Sequence, residues 1–437
     1  MKRKLCKIAA LLLVVVMLVG LAACNNGTDT TSSGDETPGQ SGSTDGGSTG
    51  GGSTGGGSTG DEPAEVLKVG LLISVTGWFA MVDMSHMFSA QALAAIINEQ
   101  GGWEIDGKKY QVEIVLSDIQ SDFGNVQAAA RYLLDQGVKY VIESIDFFVV
   151  GIQDLWEENG VMHMTTAMSG DNGFGGPEHP HAFVAGDNGF HNFIPQGMKL
   201  LKENFPGVRK LIYCENDTGG NLATWEKMNS HVGEFGFEMI PYANSAVYAG
   251  ETTDFAAIAL QIISSGADAV IGTGSPANAV PILSEMRSLG SDMPYMLCTT
   301  LSGEALYGWA GADYAYNAAT LGYSLDPAVN TDIANQINDR IRRDHGEETL
   351  INTHLNAANA LYVLLNVMSM AGSTDVDTVM NTWRAQTEVP TVYGTGNLGG
   401  ERTFGLPRQW VGNPGSFMII SREEGIRYLD RVPVFVP

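Results

Sequence analysis

The stretch 68–75 (KVGLLISV) decides the fold, because it is a short, almost purely apolar run with the length of a buried strand. A turn at Thr76-Gly77 follows it, and a helical pattern then runs over 85–99 (SHMFSAQALAAIINE). A strand that leads through a tight turn into a helix is the first half of a βαβ unit. The opening of the folded part therefore predicts a parallel sheet with helices on its faces.

The alternation of strand and helix continues along the chain and then begins a second time. The predicted strands are 68–75, 110–117, 140–144, 162–165, 210–214, 237–242, 269–273 and 295–299. The predicted helices are 85–99, 126–136, 150–159, 222–234, 255–264 and 279–289. Two such series predict an α/β protein with two doubly wound parallel-sheet lobes. Ligands of such sheets bind beyond the carboxyl ends of the strands, so the predicted site is the cleft between the lobes.

The N-terminus has the layout of a secretory signal peptide over 1–23. Four basic residues precede the uncharged apolar run 8–23, which ends in Leu21-Ala22-Ala23-Cys24. This ending resembles a bacterial lipobox, which implies that Cys24 carries a palmitate-type lipid and anchors the mature protein to the membrane from outside the cytoplasm. The alternatives are an ordinary signal peptide with an incidental cysteine, or an uncleaved anchor. The run is shorter than the roughly 20 apolar residues that a spanning helix needs.

The segment 24–65 predicts a lipid-bearing cysteine followed by a disordered Gly/Ser/Thr linker. It has almost no apolar side chains and repeats Gly-Gly-Gly-Ser-Thr, so it cannot offset the entropy of ordering. A flexible chain of this length reaches roughly 35 Å, enough to hold a folded body clear of lipid headgroups. The interpretation is a spacer without a recognition role.

The net charge and the cysteine content limit the functions and the covalent cross-links that the chain can have. The net charge is −25, and removal of residues 1–23 would take away four positive charges and leave −29. So acidic a chain without a basic cluster does not bind nucleic acid. Cys214 and Cys298 follow strands that we expect to be separated by a third, and Cα atoms more than about 7 Å apart cannot form a disulfide. Buried free thiols are the favoured interpretation, and a disulfide is the alternative.

Six segments of the folded part follow the pattern of one known family. They are 68–76, 97–102 (INEQGG), 137–142 (GVKYVI), 253–255 (TDF), 266–270 (GADAV) and 371–375 (AGSTD). Their order and spacing resemble the leucine/isoleucine/valine-type periplasmic binding proteins, the type I substrate-binding components of ABC importers. The resemblance covers about 66–421. It implies two lobes joined by three crossings, with lobe 1 at 66–187 plus 302–393 and lobe 2 at 188–301 plus 394–437. The helix at 354–370 would return to lobe 1.

By this resemblance the chain is an extracytoplasmic lipoprotein, expected to be a monomer, that captures a small organic solute and passes it to an ABC permease. The alternative is a sensor subunit that reports the ligand to a membrane signalling partner. We expect no enzyme, cofactor or metal ion. Neither a nucleotide-binding Gly-rich loop nor a Gly-x-Ser-x-Gly elbow is present, and His179-Pro180-His181 lacks the spacing of helical metal ligands.

The family's ligand contacts lie in strand-to-helix turns, which gives ten candidate residues here. They are Trp78, Phe79, Asp146, Phe147, Thr165, Ala167, Ser169, Thr218, Asn278 and Tyr323. In the first turn Gly77 permits close backbone approach, and Trp78 or Phe79 walls the cleft. The alternative is that these aromatic rings pack on the lobe.

The second turn departs from the family's small residues and serines. Asp146 would repel a carboxylate and would hold a cation or a donor-rich group, while Phe147 and Phe148 would stack on a ring. The alternative makes Asp146 a helix N-cap and the phenylalanines core.

The remaining turns offer hydroxyl and amide groups. Ala167 would offer a backbone N–H and Ser169 a hydroxyl to an anionic group, although this loop could instead satisfy its own backbone. In the second lobe Thr218 lies in a turn that lacks the family's Tyr-Gly pair. Asn278 stands where amino-acid binders carry an acid, and amides bind ammonium groups less well than carboxylates do. The side chain of Tyr323 would either face the cleft or pack within its own lobe. A ligand with a carboxylate on an apolar or aromatic body fits the hydroxyl and amide groups that this chain retains from the family pattern. An amide or cationic ligand fits Asp146 better.

Overall fold

The computed structural model describes residues 65–168, 173–188, 194–217, 221–249, 252–272, 276–300, 302–322, 324–351, 353–414 and 416–429. Its strands are β1 (Glu65–Ile73), β2 (Trp103–Ile105), β3 (Lys108–Asp118), β4 (Tyr140–Glu143), β5 (Met162–Met168), β6 (Ala182–Asn188), β7 (Lys210–Asn216), β8 (Glu238–Met239), β9 (Ala246–Tyr248), β10 (Ala269–Gly272), β11 (Tyr295–Thr300), β12 (Ala318–Gly322), β13 (Glu388–Thr391), β14 (Gly394–Gly399), β15 (Trp410–Gly412), β16 (Ser416–Ser421) and β17 (Gly425–Tyr428).

The helices alternate with these strands through most of the chain. They are α1 (Ala80–Glu99), α2 (Val126–Asp135), α3 (Asp146–Val149), α4 (Gln153–Glu158), α5 (Ile194–Asn204), α6 (Asn221–Phe235), α7 (Phe255–Ser264), α8 (Pro276–Ser288), α9 (Gly303–Ala310), α10 (Asp332–His345), α11 (Glu347–Ile351), α12 (Asn356–Ala371), α13 (Val376–Ala385) and α14 (Glu401–Phe404). Short 3₁₀ turns lie at Val150–Ile152 and Tyr242–Asn244.

The first sheet has a parallel centre, as the sequence predicts. Over the described residues its strand order is β13-β14-β15-β6-β5-β4-β1-β3-β2. β1 pairs in parallel with both β3 and β4, and β2 forms an antiparallel hairpin with β3 through a turn at Asp106-Gly107. One face packs against α1, α10, α12 and α13. The other face packs against α2, α3 and α4. The buried centre of β1 explains why its sequence is apolar without alternation.

The second sheet repeats this architecture in the order β17-β16-β12-β11-β10-β7-β8, with β9 also paired to β7. Helices α7, α8 and α9 cover one face, and α5 and α6 cover the other. Cys214 on β7 and Cys298 on β11 are separated by β10, and both are buried free thiols, which confirms the favoured interpretation. Burial raises the pKa of the Cys214 thiol to about 12.

The chain passes between the two lobes three times, always at the carboxyl edges of the sheets. It leaves the end of β6 for α5, and it leaves the end of β12 for α10. It also runs from the end of β15, which is parallel to β6, to the start of β16, which is antiparallel to β12. Because all three connections join carboxyl edge to carboxyl edge, these two edges face each other. The predicted three-crossing arrangement follows from this topology.

The predicted lobe boundaries are wrong in two places. α9 and β12, expected in lobe 1, belong to the second sheet, where β12 pairs with β11 and β16. β14 and β15, expected in lobe 2, belong to the first sheet, where β14 pairs with β13 and β15 pairs with β6. Local sequence patterns predict that a segment is a strand, but which sheet it joins depends on partners far away in the chain.

Two other predicted elements differ in extent. The strand predicted at 237–242 shrinks to Glu238–Met239, because Pro241 has no N–H to give to a ladder. The helix predicted at 150–159 divides into a 3₁₀ turn and α4. Over the described residues one helix, α1, has the length and apolar composition to cross a membrane, but it packs between the first sheet and α12 as a core helix.

Candidate functional site

Five aromatic side chains form a cluster at the carboxyl edge of the first sheet, beyond β1, β3 and β4. The members are Trp78, Phe79, Phe123, Phe147 and Phe148. Trp78 lies parallel to Phe147, with 6.3 Å between ring centroids and 7° between planes. Phe79 and Phe147 pack against the lobe's apolar core, whereas Trp78 and Phe123 expose 67% and 61% of their surface. The cluster thus presents aromatic surface to solvent on a packed base. Phe123 could not be predicted from the family pattern, because the loop after β3 that carries it contains none of the family's motifs.

Gly77 serves the packing of its own turn. Its φ is 87°, a value that favours glycine, and a Cβ there would lie 2.6 Å from the carbonyl oxygen of Gln120. The indole N–H of Trp78 donates to the carbonyl oxygen of Ser121 at 3.1 Å, and the Ser121 hydroxyl accepts from the N–H of Phe79 at 3.0 Å. The close approach predicted at Gly77 is therefore made to the loop after β3.

Asp118 at the end of β3 fixes the turn after β1. Its carboxylate accepts from the N–H of Val75 at 2.9 Å and from the Thr76 hydroxyl at 2.7 Å. Burial alone would raise the pKa of Asp118, but the hydrogen bonds from Thr76 and the backbone outweigh burial and lower it. The turn that carries Trp78 is thus held in place by a charged acceptor.

A buried polar network joins the start of α1 to the ends of β1 and β4. Asp83 is fully buried and accepts from the N–H of Ser74 at 2.7 Å and from the Ser144 hydroxyl at 2.6 Å. The Nδ1 atom of His86 lies 3.0 Å from the other carboxylate oxygen. The sequence alone gives no signal for this network, because an acid in the first turn of a helix also has an ordinary role at the helix dipole.

The predicted third turn is partly described. Thr165 is fully buried, and its hydroxyl lies within hydrogen-bond distance of the carbonyl oxygens of Ser144 (2.7 Å) and Ala167 (2.8 Å). A β-bulge between Thr165 and Ala167 interrupts the register with β6. The side-chain amide of Asn356, at the start of α12, donates to the carbonyl oxygen of Thr166. Ser169 lies outside the described residues.

Asp146 is the first residue of α3, and Ile145 is the cap, so Asp146 is not the N-cap of the alternative interpretation. Its side chain is fully buried and accepts from the N–H of Phe147 at 2.9 Å. Phe148 is core, as that alternative held, while Phe147 stays partly exposed in the aromatic cluster.

The second lobe places a phenol and an amide together at its carboxyl edge. Asn278 lies in the first turn of α8 and hydrogen-bonds the hydroxyl of Tyr248, which ends β9. Burial raises the pKa of Tyr248, so the phenol stays protonated. Cys214 and Tyr295 form a further hydrogen-bonded pair beneath this edge. No sequence pattern singled out Tyr248. Thr218 and Tyr323, two of the predicted contacts, lie outside the described residues.

Three further histidines of the first lobe lie beside carboxylates. His163 lies 2.7 Å from Glu143 and His181 lies 2.5 Å from Glu157, while His179 lies 3.7 Å from Asp154. Over the described part of the chain, no three His, Cys, Asp or Glu residues are grouped as metal ligands.

Comparisons with known proteins agree with this architecture. Residues 66–407 match the periplasmic binding protein family. A search of curated proteins found no match. Among solved structures, an ABC transporter substrate-binding protein from Sphaerobacter thermophilus is similar at 16% identity and a TM-score of 0.67, with 85% of this chain and 99% of that chain covered.

Two further structures contain ligands. LivJ, the branched-chain amino acid transporter substrate-binding protein from Streptococcus pneumoniae, was solved with isoleucine; it is 17% identical with a TM-score of 0.64, covering 85% of this chain and 100% of that one. A solute-binding protein of an ABC transporter from Rhodopseudomonas palustris was solved with p-hydroxybenzoic acid; it is 16% identical with a TM-score of 0.65, covering 85% and 97%. The predicted resemblance to type I substrate-binding proteins is confirmed. Since the family match covers most of its length, the chain belongs to the periplasmic binding protein family and is an extracytoplasmic solute-binding protein.

Proposed function

We propose that this chain is the lipid-anchored receptor of an ABC importer, and that it closes its two lobes around a small organic solute with an apolar or aromatic body. The observation that supports this best is the topology: three crossings set the carboxyl edges of both sheets opposite each other. The aromatic cluster and the hydroxyls at the ends of β4 and β5 lie at one of those edges. Closure is driven by contacts that the ligand makes with both lobes at once.

The ligand contacts that we propose come from both edges. They are Trp78, Phe79, Asp146, Phe147, Thr165, Ala167 and Ser169 in the first lobe, and Thr218, Asn278 and Tyr323 in the second. Trp78 is the strongest of these, because it is the most exposed member of the aromatic cluster and its ring lies parallel to that of Phe147. Isoleucine and p-hydroxybenzoic acid, the ligands of two similar proteins, indicate the size of solute that such a cleft holds.

Mass spectrometry of the purified protein under native conditions tests the proposal directly, because a closed binding protein retains its solute. Isothermal titration then separates the candidate classes, which are amino-acid-like solutes, amides and aromatic acids. We expect one class to bind with micromolar or tighter affinity, which corresponds to about 8 kcal/mol. Folded protein that retains no solute and gives no heat with any class would refute the proposal.

The anchor has a separate test. We propose that cleavage after Ala23 exposes Cys24 for acylation and that 25–65 forms the spacer. Metabolic labelling with a palmitate analogue should mark the wild type and leave Cys24→Ser unlabelled and released from the membrane. Label retained in Cys24→Ser would contradict this assignment. Copurification of the labelled receptor with a membrane permease would identify its partner.

A further inference from the structure

A fully buried amide side chain, that of Asn359, interrupts the apolar side of α12. Over 357–368, every other buried residue of this helix is alanine, leucine, valine or methionine. A buried amide is costly unless its donors and its acceptor are paired, and here they are. Nδ2 donates to the carbonyl oxygen of Ala185 at 2.8 Å and to Oδ1 of Asn413 at 2.9 Å. The Oδ1 atom of Asn359 accepts from the N–H of Val392 at 3.0 Å.

Each of these three bonds leads to a different crossing between the lobes. Ala185 lies in β6, whose end begins the first crossing, and Asn413 follows β15 and begins the third. Val392 leads to the second crossing, because its carbonyl oxygen accepts from the hydroxyl of Thr331 at 2.5 Å. Thr331 caps α10, where the second crossing ends. Asn359 therefore joins the ends of all three crossings on the side of the first lobe.

A further bond closes this network. The side-chain amide of Asn413 donates to the carbonyl oxygen of Ala185 at 3.2 Å, so the first and third crossings are also bonded directly. The oxygen of Ala185 thus uses both of its lone pairs. Asn413 is buried like Asn359, and neither amide can turn without leaving a buried polar group unpaired. The network holds the three crossings in one fixed arrangement.

The second lobe holds the other ends of two crossings. In the second crossing, the N–H of Leu325 donates to the carboxylate of Glu304 at 3.1 Å. In the third, Ser416 pairs with Gly322 in the ladder between β16 and β12. Because both crossings are held on both sides, a rotation of the lobes has to bend the short stretches between these points.

We propose that Asn359 is a positioning residue for solute capture, which ties the three crossings together so that the second lobe turns as one rigid body about a single hinge. This inference rests on the proposed function, because the hinge affects capture only if the lobes close around a solute. Asn359 itself does not touch the solute, since it is fully buried and its amide is bonded within the protein.

The effect on capture follows from conformational entropy. Without the amide of Asn359, each crossing gains freedom in the open form, and closure has to remove that freedom. The closed form is then a smaller fraction of the population, so the protein holds its solute less tightly. The expected signature is greater motion of all three crossings together with faster release of the solute.

Hydrogen exchange followed by mass spectrometry tests the hinge on the full chain, without any added solute. The backbone amides of 183–188, 324–331 and 409–414 report on the first, second and third crossings. We expect Asn359→Ala to raise their exchange rates at all three places by at least about fivefold. Asn413→Ala removes the third crossing from the network, so it should raise exchange at 409–414 and leave 324–331 unchanged.

A matched control separates the hinge from ordinary packing. Asn98 on α1 also ties its helix to a strand, because it donates to the carbonyl oxygen of Val112 at 2.9 Å and accepts from the N–H of Val112 at 2.8 Å. Asn98→Ala removes a like pair of bonds inside the first lobe, away from the crossings. Exchange at the three crossings should stay within about twofold of wild type in this variant.

Release of the copurified solute gives the functional measurement. Native mass spectrometry during dialysis follows the fraction of protein that keeps it, and we expect Asn359→Ala to release it about fivefold faster than wild type and Asn98→Ala to match wild type. Unchanged exchange at the crossings in Asn359→Ala, or an equal rise in Asn98→Ala, overturns the hinge assignment, and so does an unchanged rate of release.

The remaining outcomes also decide. If Asn359→Ala does not fold, Asn413→Ala takes its place: faster exchange at 409–414 with faster release supports the assignment, and wild-type values of either overturn it. If wild type retains no solute, the proposed capture fails on that result, and the exchange pattern alone decides whether Asn359 ties the crossings together.

Discussion

The carboxyl edges of the two sheets are built by different means. In the first lobe, charged side chains hold the turns: Asp118 fixes the turn after β1, and Asp83 joins that turn to Ser144. In the second lobe, pairs between neutral groups lie at β7, β9 and β11, Tyr248 with Asn278 and Tyr295 with Cys214. A carboxylate, Glu304, holds only the turn after β12, where it accepts from the N–H of Leu325 at 3.1 Å. Hydrogen bonds to charged groups are stronger and cost more to break than neutral ones. The turns after β1 and β4 are thus held by charged acceptors, whereas the end of β9 is held by a neutral pair.

Of the changes that test this comparison, loss of Asp83 should lower the stability of the protein most. Asp83→Ala leaves the Ser74 N–H and the Ser144 hydroxyl unpaired in a buried site, so we expect the free energy of unfolding to fall by about 3 kcal/mol. Urea denaturation followed by circular dichroism measures it. Asp135→Asn, an exposed acid on α2, is the control and should change stability by less than about 0.5 kcal/mol. Equal stabilities of Asp83→Ala and wild type would mean that these turns do not depend on this carboxylate.

Replacement of Trp78 tests solute binding separately from folding. Because 67% of its surface is exposed, Trp78→Ala should lower the free energy of unfolding by less than about 1 kcal/mol. Its affinity for the solute should fall about tenfold, since a large aromatic contact is lost. Trp309→Ala, which removes a half-exposed tryptophan from α9 in the second lobe, should leave affinity unchanged. Titration calorimetry compares the two variants, and equal affinities would remove Trp78 from the proposed contacts.

Some features of these two edges could be predicted from the sequence and others could not, and single residues show why. The helix at 255–264 was predicted with its bounds, because Asp254 caps it and accepts from the N–H of Ala257. Trp78 and Asp146 were predicted to lie at this edge because the family resemblance places ligand contacts in the turns after these strands, and the structure places both residues there. Asp83, Ser144 and Tyr248 were missed, because each gains its role from a partner distant in the chain or in another element. The lobe boundaries failed for the same reason: β15 joins the first sheet through one register pair, Trp410 with Val184, which no local pattern encodes.

Replacement of Tyr248 tests the neutral pair at the end of β9 and should lower stability less than loss of Asp83 does. Tyr248→Phe keeps the ring and removes the hydroxyl that bonds Asn278, so we expect a loss of about 1 kcal/mol in unfolding free energy. Tyr132→Phe, on an exposed face of α2, is the matched control and should be neutral. If Tyr248→Phe costs as much as Asp83→Ala, measured by the same urea titration, the contrast between charged acceptors and a neutral pair is wrong.

The smallest expected difference between the lobes is in their stability at acid pH. Burial alone would raise the pKa of Glu157, but hydrogen bonds from His181 outweigh burial and lower it. A carboxyl whose pKa is lower in the folded state stabilises the protein above its unfolded pKa and loses that contribution as the pH falls through the folded value. Glu157→Gln should therefore be less stable than wild type at pH 7, by less than about 1 kcal/mol. This difference should shrink as the pH falls below 4.5, the ordinary pKa of the carboxyl, and should close below its lowered pKa in the folded state.

The comparison with the second lobe makes this test specific. The His–carboxylate pair that the described residues show there is His231 with Glu234, where Glu234 is exposed and the atoms lie 3.9 Å apart. Acid should therefore weaken the first lobe before the second. Glu158→Gln, at the exposed neighbour of Glu157, controls for the charge change and should give parallel pH profiles for variant and wild type. Thermal melts from pH 7 to pH 3 supply both profiles, and a Glu157→Gln curve parallel to wild type would show that the His181 contact contributes nothing to stability.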